Sequence, residues 1–147
     1  VSAAYEANFH LRQELLQEIS LAVWQALEKF KGESSVKTYV LRVAHNKAIT
    51  HVAYHAKQPR NDSYCEIETP QPSHLTSTDV QIAQQQQIQT MLNEIRKMPI
   101  QTRQVVTMSM EGLSYSEIAD ACGISSTNAG VILNRARKTL MENIHHA

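Results

Sequence analysis

The chain has little of what most folds need outside helices: among its 147 residues are 4 glycines, 4 prolines and only 5% aromatic side chains. A sheet sandwich needs turn residues at short intervals and β-branched or aromatic strands between them, so an all-β fold is excluded and an all-α fold expected. Cysteine is as scarce. Cys65 and Cys122 are too few for a disulfide scaffold and have no second pair at metal-ligand spacing, which fits a reducing, cytoplasmic setting. No apolar run approaches the ~20 residues needed to cross a bilayer, so no membrane insertion is expected, and no secretory leader is visible. The first residue is Val1 rather than Met, and the natural start is expected to lie upstream. Net charge is missing too: 14 Lys and Arg balance 14 Asp and Glu, which excludes a uniformly basic nucleic-acid coat and an acidic tail. Nor is there a Gly-rich phosphate loop, a nucleophile elbow or a paired catalytic carboxylate, so no catalytic residue and no cofactor is expected.

What is present is helical periodicity. Phe9, Leu15, Leu16, Ile19, Val23, Leu27 and Phe30 recur at mostly three- and four-residue steps, predicting one or two helices over residues 3–30. Lys31-Gly32-Glu33 breaks the pattern, Ser34 or Ser35 is placed to cap a new helix, and Pro59 stops it. From Asn61 to Thr78 the composition shifts to Asn, Asp, Ser, Thr and Pro with little to bury. This predicts two small helical domains, 1–60 and 78–147, joined by a flexible linker at 61–77. Thr78 with Gln81 makes a capping box, and Val80, Ile88, Met91, Leu92 and Ile95 form the apolar stripe of the helix that follows, with Gln84 to Gln87 on its solvated face. Pro99 suits the first turn of the next helix, and Gly112 ends it. A bundle of ~60 residues buries only about 60% of its unfolded surface, so each domain is marginal alone and is expected to be held by partners.

The sharpest local signal follows. Ser114 and Glu117 form a capping box, Leu113 is placed to staple onto Ile118, Gly123 lies in a short turn, and Ser125 caps a last helix running to about Ile144. Two helices about a Gly-containing turn, with small Ala119 at their contact and Ala129 and Leu133 facing inward, are a helix-turn-helix. Its second helix would present Ser126, Thr127, Gly130, Val131 and Asn134 to base edges, with Arg135, Arg137 and Lys138 for phosphates. The alternative reading is an ordinary helical hairpin.

A second cationic feature is Ser34 to Asn61, with Lys37, Arg42, Lys47, Lys57 and Arg60, three histidines and no carboxylate between Glu33 and Asn61. Tyr39 and Tyr54 are interleaved with it, so stacking is available beside backbone attraction, the pairing expected for single-stranded nucleic acid; a solvated face is the plainer alternative. His51 and His55 stand four apart with His45 upstream, but neither a glutamate at the right place nor an obvious third ligand accompanies them, so no metal site is expected. The segment before Ser34 is the acidic one, with Glu14 and Glu18 on a face near Leu15 and Leu21 that could dock on a basic protein surface. Trp24 is assigned to the core.

These motifs carry a resemblance. Glu14-Leu-Leu-Gln-Glu-Ile with Trp24, Phe30-Lys-Gly-Glu-Ser-Ser-Val-Lys-Thr-Tyr and Leu41-Arg-Val-Ala-His-Asn resemble region two of bacterial sigma factors, especially the small extracytoplasmic-function type. Met98-Pro99 with Arg103, Glu111-Gly-Leu-Ser-Tyr-Ser-Glu-Ile-Ala, Gly123-Ile-Ser and Arg135-Ala-Arg resemble region four. The resemblance implies a non-catalytic initiation subunit that directs core RNA polymerase to promoters and helps open the DNA. It implies that Glu14, Leu15, Gln17, Glu18 and Leu21 bind the polymerase. Arg42, Asn46, Lys47, Thr50, His51, Tyr54, Lys57 and Arg60 would hold the opened minus-ten element, with Asn46 and Thr50 lining a pocket for an extruded base. The minus-thirty-five duplex would fall to Arg103, Ser125, Ser126, Thr127, Asn128, Val131, Asn134, Arg135, Arg137 and Lys138. An anti-sigma factor is a further implied partner, and the free chain is expected to be monomeric. Gly130 and Ile132 depart from positions often basic in the family, so the reader helix is less cationic and should bind free DNA weakly, tight recognition requiring the polymerase. Two rivals are a dimeric stand-alone helix-turn-helix regulator and a protein-interaction adaptor.

Overall fold

In a computed structural model, residues 1–57 and 79–145 are described. The expected linker, with Pro59, Arg60, Cys65 and the Thr78 cap, lies outside the described residues. Among the described residues seven helices follow in order: α1 (Ser2–Tyr5), α2 (Phe9–Glu28), α3 (Val36–Ala56), α4 (Asp79–Arg96), α5 (Ile100–Met110), α6 (Tyr115–Cys122) and α7 (Ser126–His145). No strand occurs among the described residues.

Local chemistry sets most of the boundaries. Asn8 accepts the Leu11 amide at 3.1 Å and starts α2. Of the two serines that could start α3, it is Ser35 that accepts the Thr38 amide, at 3.1 Å. Pro99 sits one position earlier than the first turn, as the N-cap of α5, where its missing N–H costs nothing. The capping box of α6 is complete: Ser114 Oγ accepts the Glu117 amide at 3.2 Å, and Glu117 accepts the Ser114 amide at 3.1 Å. Gly123 ends α6 at φ +71°, a left-handed conformation that costs a residue with a Cβ about 1–2 kcal/mol. Ser125 then accepts the Asn128 amide at 3.0 Å and opens α7.

Leu15 and Ile19 of α2 are buried with Ala44 and Ala48 of α3, whose small side chains let the two helices lie close. In the second half, α7 buries Ala129, Leu133, Ala136 and Leu140, at steps of four, three and four, against Val105 and Met108 of α5 and Ile118 of α6. The two halves do not keep separate cores. Ala4 and Tyr5 belong to the same contiguous cluster as Ile95 and Val105, and α1 touches α4 and α5 while α3 touches α5 and α6. Each bundle, too small to bury its surface alone, uses the other as a partner.

Two apolar assignments are corrected by this packing. Residues 79–89 of α4 are exposed throughout, Val80 and Ile88 included, and side chains on α4 become covered only from Thr90 onward. Trp24 is 70% exposed rather than in the core, and Leu16 and Leu27 are exposed with it, since α3 covers only the Leu15 and Ile19 side of α2.

Candidate nucleic-acid interface

Helix α3 separates two populations of side chain. Thr38, Ala44, His45, Ala48 and His51 point into the protein, whereas Arg42, Asn46, Thr50, Tyr54 and Lys57 are exposed and Lys47 is half-buried. Arg42, Asn46 and Thr50 follow at four-residue steps and so share one face, with Tyr54 and Lys57 on the next turns. Thr50 donates its hydroxyl to the Asn46 carbonyl at 3.0 Å, which fixes its rotamer and leaves its oxygen free to accept. The Asn46 amide beside it offers both donor and acceptor.

His51 does not belong to that surface. It is buried, and its Nε2 lies 3.0 Å from a Glu6 carboxylate oxygen, with its ring 4.3 Å from that of His55. A carboxylate only accepts, so this nitrogen carries the proton and is occupied. His45 is likewise interior, with no exposed surface: Nε2–H donates to Glu111 at 3.0 Å, and Nδ1 accepts the Tyr5 hydroxyl at 2.7 Å. Burial, with the Glu111 carboxylate behind it, pushes the Tyr5 phenol above its ordinary range and keeps it a donor. Among the described residues, no group of three His, Cys, Asp or Glu could hold a metal ion.

On α7 the cap and the buried seam fix which face is presented. Ser125, Ser126, Thr127, Asn128, Val131, Asn134, Arg135, Arg137 and Lys138 are all exposed. Thr127, Val131, Asn134, Arg135 and Lys138 form one stripe at helical spacing. Gly130 is half-buried: a Cβ there would rest 3.5 Å from the Tyr115 ring, so this position serves the contact between α6 and α7.

Arg103 is misplaced for a phosphate contact. Its guanidinium donates through Nη2 to the carbonyls of Arg96 (2.6 Å) and Met98 (3.1 Å), and its carbon lies 6.0 Å from the Tyr5 ring centroid. Desolvation lowers its pKa from the ordinary value, the mark of a cation drawn inward. The residue clips the end of α4 to the start of α5 instead of facing solvent.

On α2, Glu14, Gln17, Glu18 and Leu21 are exposed and share a face at spacings of three and four, whereas Leu15 has no exposed surface and belongs to the core. Trp24, three residues beyond Leu21, extends that exposed face. Sequence reasoning missed it because a lone tryptophan is more often buried; its three-residue step from Leu21 was the available signal.

The arrangement defines a class: an all-helical protein of two packed bundles whose second bundle carries a helix-turn-helix. Comparisons with known proteins narrow it. The family described as Sigma-70 region 2 matches residues 2–58, and Sigma-70, region 4 matches residues 86–140. RNA polymerase sigma factor YlaC of Bacillus subtilis is 26% identical over 95% of this chain and 82% of its own length. The ECF RNA polymerase sigma-E factor of Haemophilus influenzae is 23% identical over 89% of this chain and 73% of its own. A solved structure of the sigma factor RpoE in complex with the anti-sigma factor NepR from Bartonella quintana has the same fold, with a TM-score of 0.72 and 16% identity over 98% of this chain and 87% of that one. The two region matches run in the expected order and together cover most of the chain, which belongs to the sigma-70 family and is a sigma factor of the extracytoplasmic-function type. Its function is to direct RNA polymerase to promoters. Among the described residues, no helix is long and apolar enough to cross a membrane.

Proposed function

We propose that this sigma factor divides its labour between two surfaces. The exposed face of α3, with Arg42, Asn46, Thr50 and Tyr54, joined by Lys57 at its C-cap and the half-buried Lys47, holds the separated strand of the minus-ten element. The stripe of α7 reads the minus-thirty-five element as duplex, with Thr127, Val131 and Asn134 toward bases and Arg135 and Lys138, with Arg137 at its edge, toward phosphates. The α2 face of Glu14, Gln17, Glu18 and Leu21 docks on core polymerase, and Leu15, His51 and Arg103 act through packing. The reading is that of domains 1–60 and 78–147 acting in the cytoplasm as a monomer when free, with no catalytic step in this chain. An anti-sigma factor is its inhibitor by analogy with the RpoE structure, solved with NepR.

The observation that supports the reading best is the sorting of α3: most of the side chains suited to nucleic acid are exposed while His45 and His51 between them are buried and occupied. Opening a duplex costs a few kcal/mol per unstacked base, and Asn46, Thr50 and Tyr54 together offer the hydrogen bonds and ring face that offset it. The test is run-off transcription by core polymerase on a promoter library, with and without the chain. Transcripts should depend on its presence, and Asn46→Ala should impair strand opening more than polymerase binding. Equal loss of both would refute the role assigned to Asn46.

A further inference from the structure

A cavity of about 510 Å³ opens between the end of α2, the first turns of α3 and the side of α6. Small-molecule sites are of this size, roughly 300–1,000 Å³. Its apolar wall is the ring pair Phe30 and Tyr39, both half-buried, with centroids 4.9 Å apart. Tyr39 donates its hydroxyl to the Ala26 carbonyl at 2.8 Å, so the wall offers a ring and not a polar tip. Lys29, Lys31 and Arg42 line the cavity from the end of α2, the loop after it and α3, and Asp120 lines it from α6. All four are exposed, and among the described residues none of their side chains has a hydrogen-bond or ion-pair partner. Glu33 stands in the same loop as Lys31, leaving the cations in excess on that side, whereas Glu117 joins Asp120 on α6 and is already held by Thr38 and Ser114. Cations thus gather on one side of the cavity and carboxylates on the other, without pairing across it.

We propose that this cavity binds a free guanine nucleotide: the base lies against Phe30 and Tyr39, its N1–H and N2 amine donate to Asp120, and the phosphates meet Lys29, Lys31 and Arg42. A ligand of one sign would satisfy one side of the cavity and be repelled by the other. The complementary molecule has an anionic end, a flat ring and a donor-rich edge. Guanine presents two adjacent donors, which a carboxylate accepts side by side as it accepts the fork of an arginine. Adenine has one amine there, next to a ring nitrogen that the carboxylate repels. Stacking on the aromatic wall is open to any base, so the carboxylate supplies the selection. Three cations exceed what the single charge of a phosphodiester calls for, which favours a terminal di- or triphosphate over a nucleotide within a strand. The start of α3 faces the same anion, and its first turn carries no acid.

Photolabelling of the full chain with 8-azido-GDP tests the site directly. Peptide mapping should place the adduct within residues 29–42 or 117–121, and unlabelled GDP should suppress it. Titration calorimetry should show saturable GDP binding, with guanosine and inorganic phosphate each weaker by about tenfold or more, since each keeps one end of the ligand only. Lys31→Ala and Asp120→Asn change exposed side chains and leave the fold intact. Lys31→Ala should weaken GDP several-fold, most at low salt, and leave guanosine unchanged. Asp120→Asn should remove or reverse the preference for GDP over ADP, because an amide suits the adenine edge, and leave phosphate binding as it was. Absence of saturable GDP binding, an adduct outside the cavity, or inorganic phosphate bound as tightly as GDP would overturn the assignment. So would a short single-stranded oligonucleotide with one guanine that displaced the label as well as GDP does. The promoter reading is independent of these outcomes and stands or falls on run-off transcription.

Discussion

Thr38, in the first turn of α3, donates its hydroxyl proton to Glu117, the residue that closes the capping box of α6. One carboxylate thus serves a helix start and a contact between halves of the chain, with Oε1 on the Ser114 amide and Oε2 on Thr38.

Thr38, and after it Ser114, hold the Glu117 carboxyl below the ordinary carboxylate range. The folded chain therefore takes up this proton less readily than the unfolded chain, and the stability involved is complete above the unfolded carboxylate pKa and lost as pH falls through the lowered folded value. Glu117→Gln should melt below wild type at pH 7, and the difference should shrink between about pH 5 and pH 3. Melting curves across that range check it; a constant difference would mean that the carboxylate charge is irrelevant to the contact.

Ile118 has no exposed surface and sits in the cluster where α6 meets α5 and α7. Ile118→Ala should lower stability by about 2–5 kcal/mol, because the lost transfer energy is joined by the cavity left behind. Urea unfolding measures this, and a loss below about 1 kcal/mol would show that the helix-turn-helix collapses freely around the gap.

Arg135 and Asn134 are neighbours on the exposed stripe of α7 with different expected roles. Arg135→Ala should weaken binding of the polymerase-bound chain to all minus-thirty-five sequences alike and reduce the salt slope by about 0.9, one phosphate contact. Asn134→Ala should leave the slope unchanged and cost about 1–3 kcal/mol on the cognate sequence alone. Titrations at several salt concentrations separate the two; identical behaviour would remove the distinction between positioning and reading on this helix.

The parts legible in the sequence are those whose partners lie within one helical turn. The Ser114–Glu117 box, the Ser125 cap, the turn at Gly123 and the inward pair Ala129 and Leu133 are all local patterns, and each is found where the pattern put it. His45 and His51 were counted with the cationic surface because their partners, Glu111 and Glu6, lie 66 and 45 residues away, beyond anything periodicity reports. Arg103 turns inward onto the Arg96 and Met98 carbonyls, seven and five residues back, a contact set by the turn between α4 and α5, which apolar periodicity does not report. Leu15 was legible as apolar, but only the path of α3 along α2 decides which leucine of the Leu15–Leu16 pair is covered.

Trp24 is the chain's one tryptophan and is 70% exposed, three residues beyond Leu21 on the same side of α2. An indole held in water gains no packing energy in the free chain, so Trp24→Ala should change stability by no more than about 0.5 kcal/mol, as for an ordinary surface substitution. At an interface the same side chain buries a large rigid area, and truncation of such an anchor costs about 2 kcal/mol or more. The variant should therefore keep the wild-type melting temperature yet bind core polymerase at least ~30-fold more weakly, since each 1.4 kcal/mol is tenfold. The wild-type protein supplies an independent reading. Emission from this single indole should shift to shorter wavelength and lose accessibility to iodide when core polymerase, selectively excited or tryptophan-free at the contact, is added. An unshifted emission together with wild-type affinity in Trp24→Ala would place the polymerase contact on another face of α2 and leave the exposed tryptophan without a role in it.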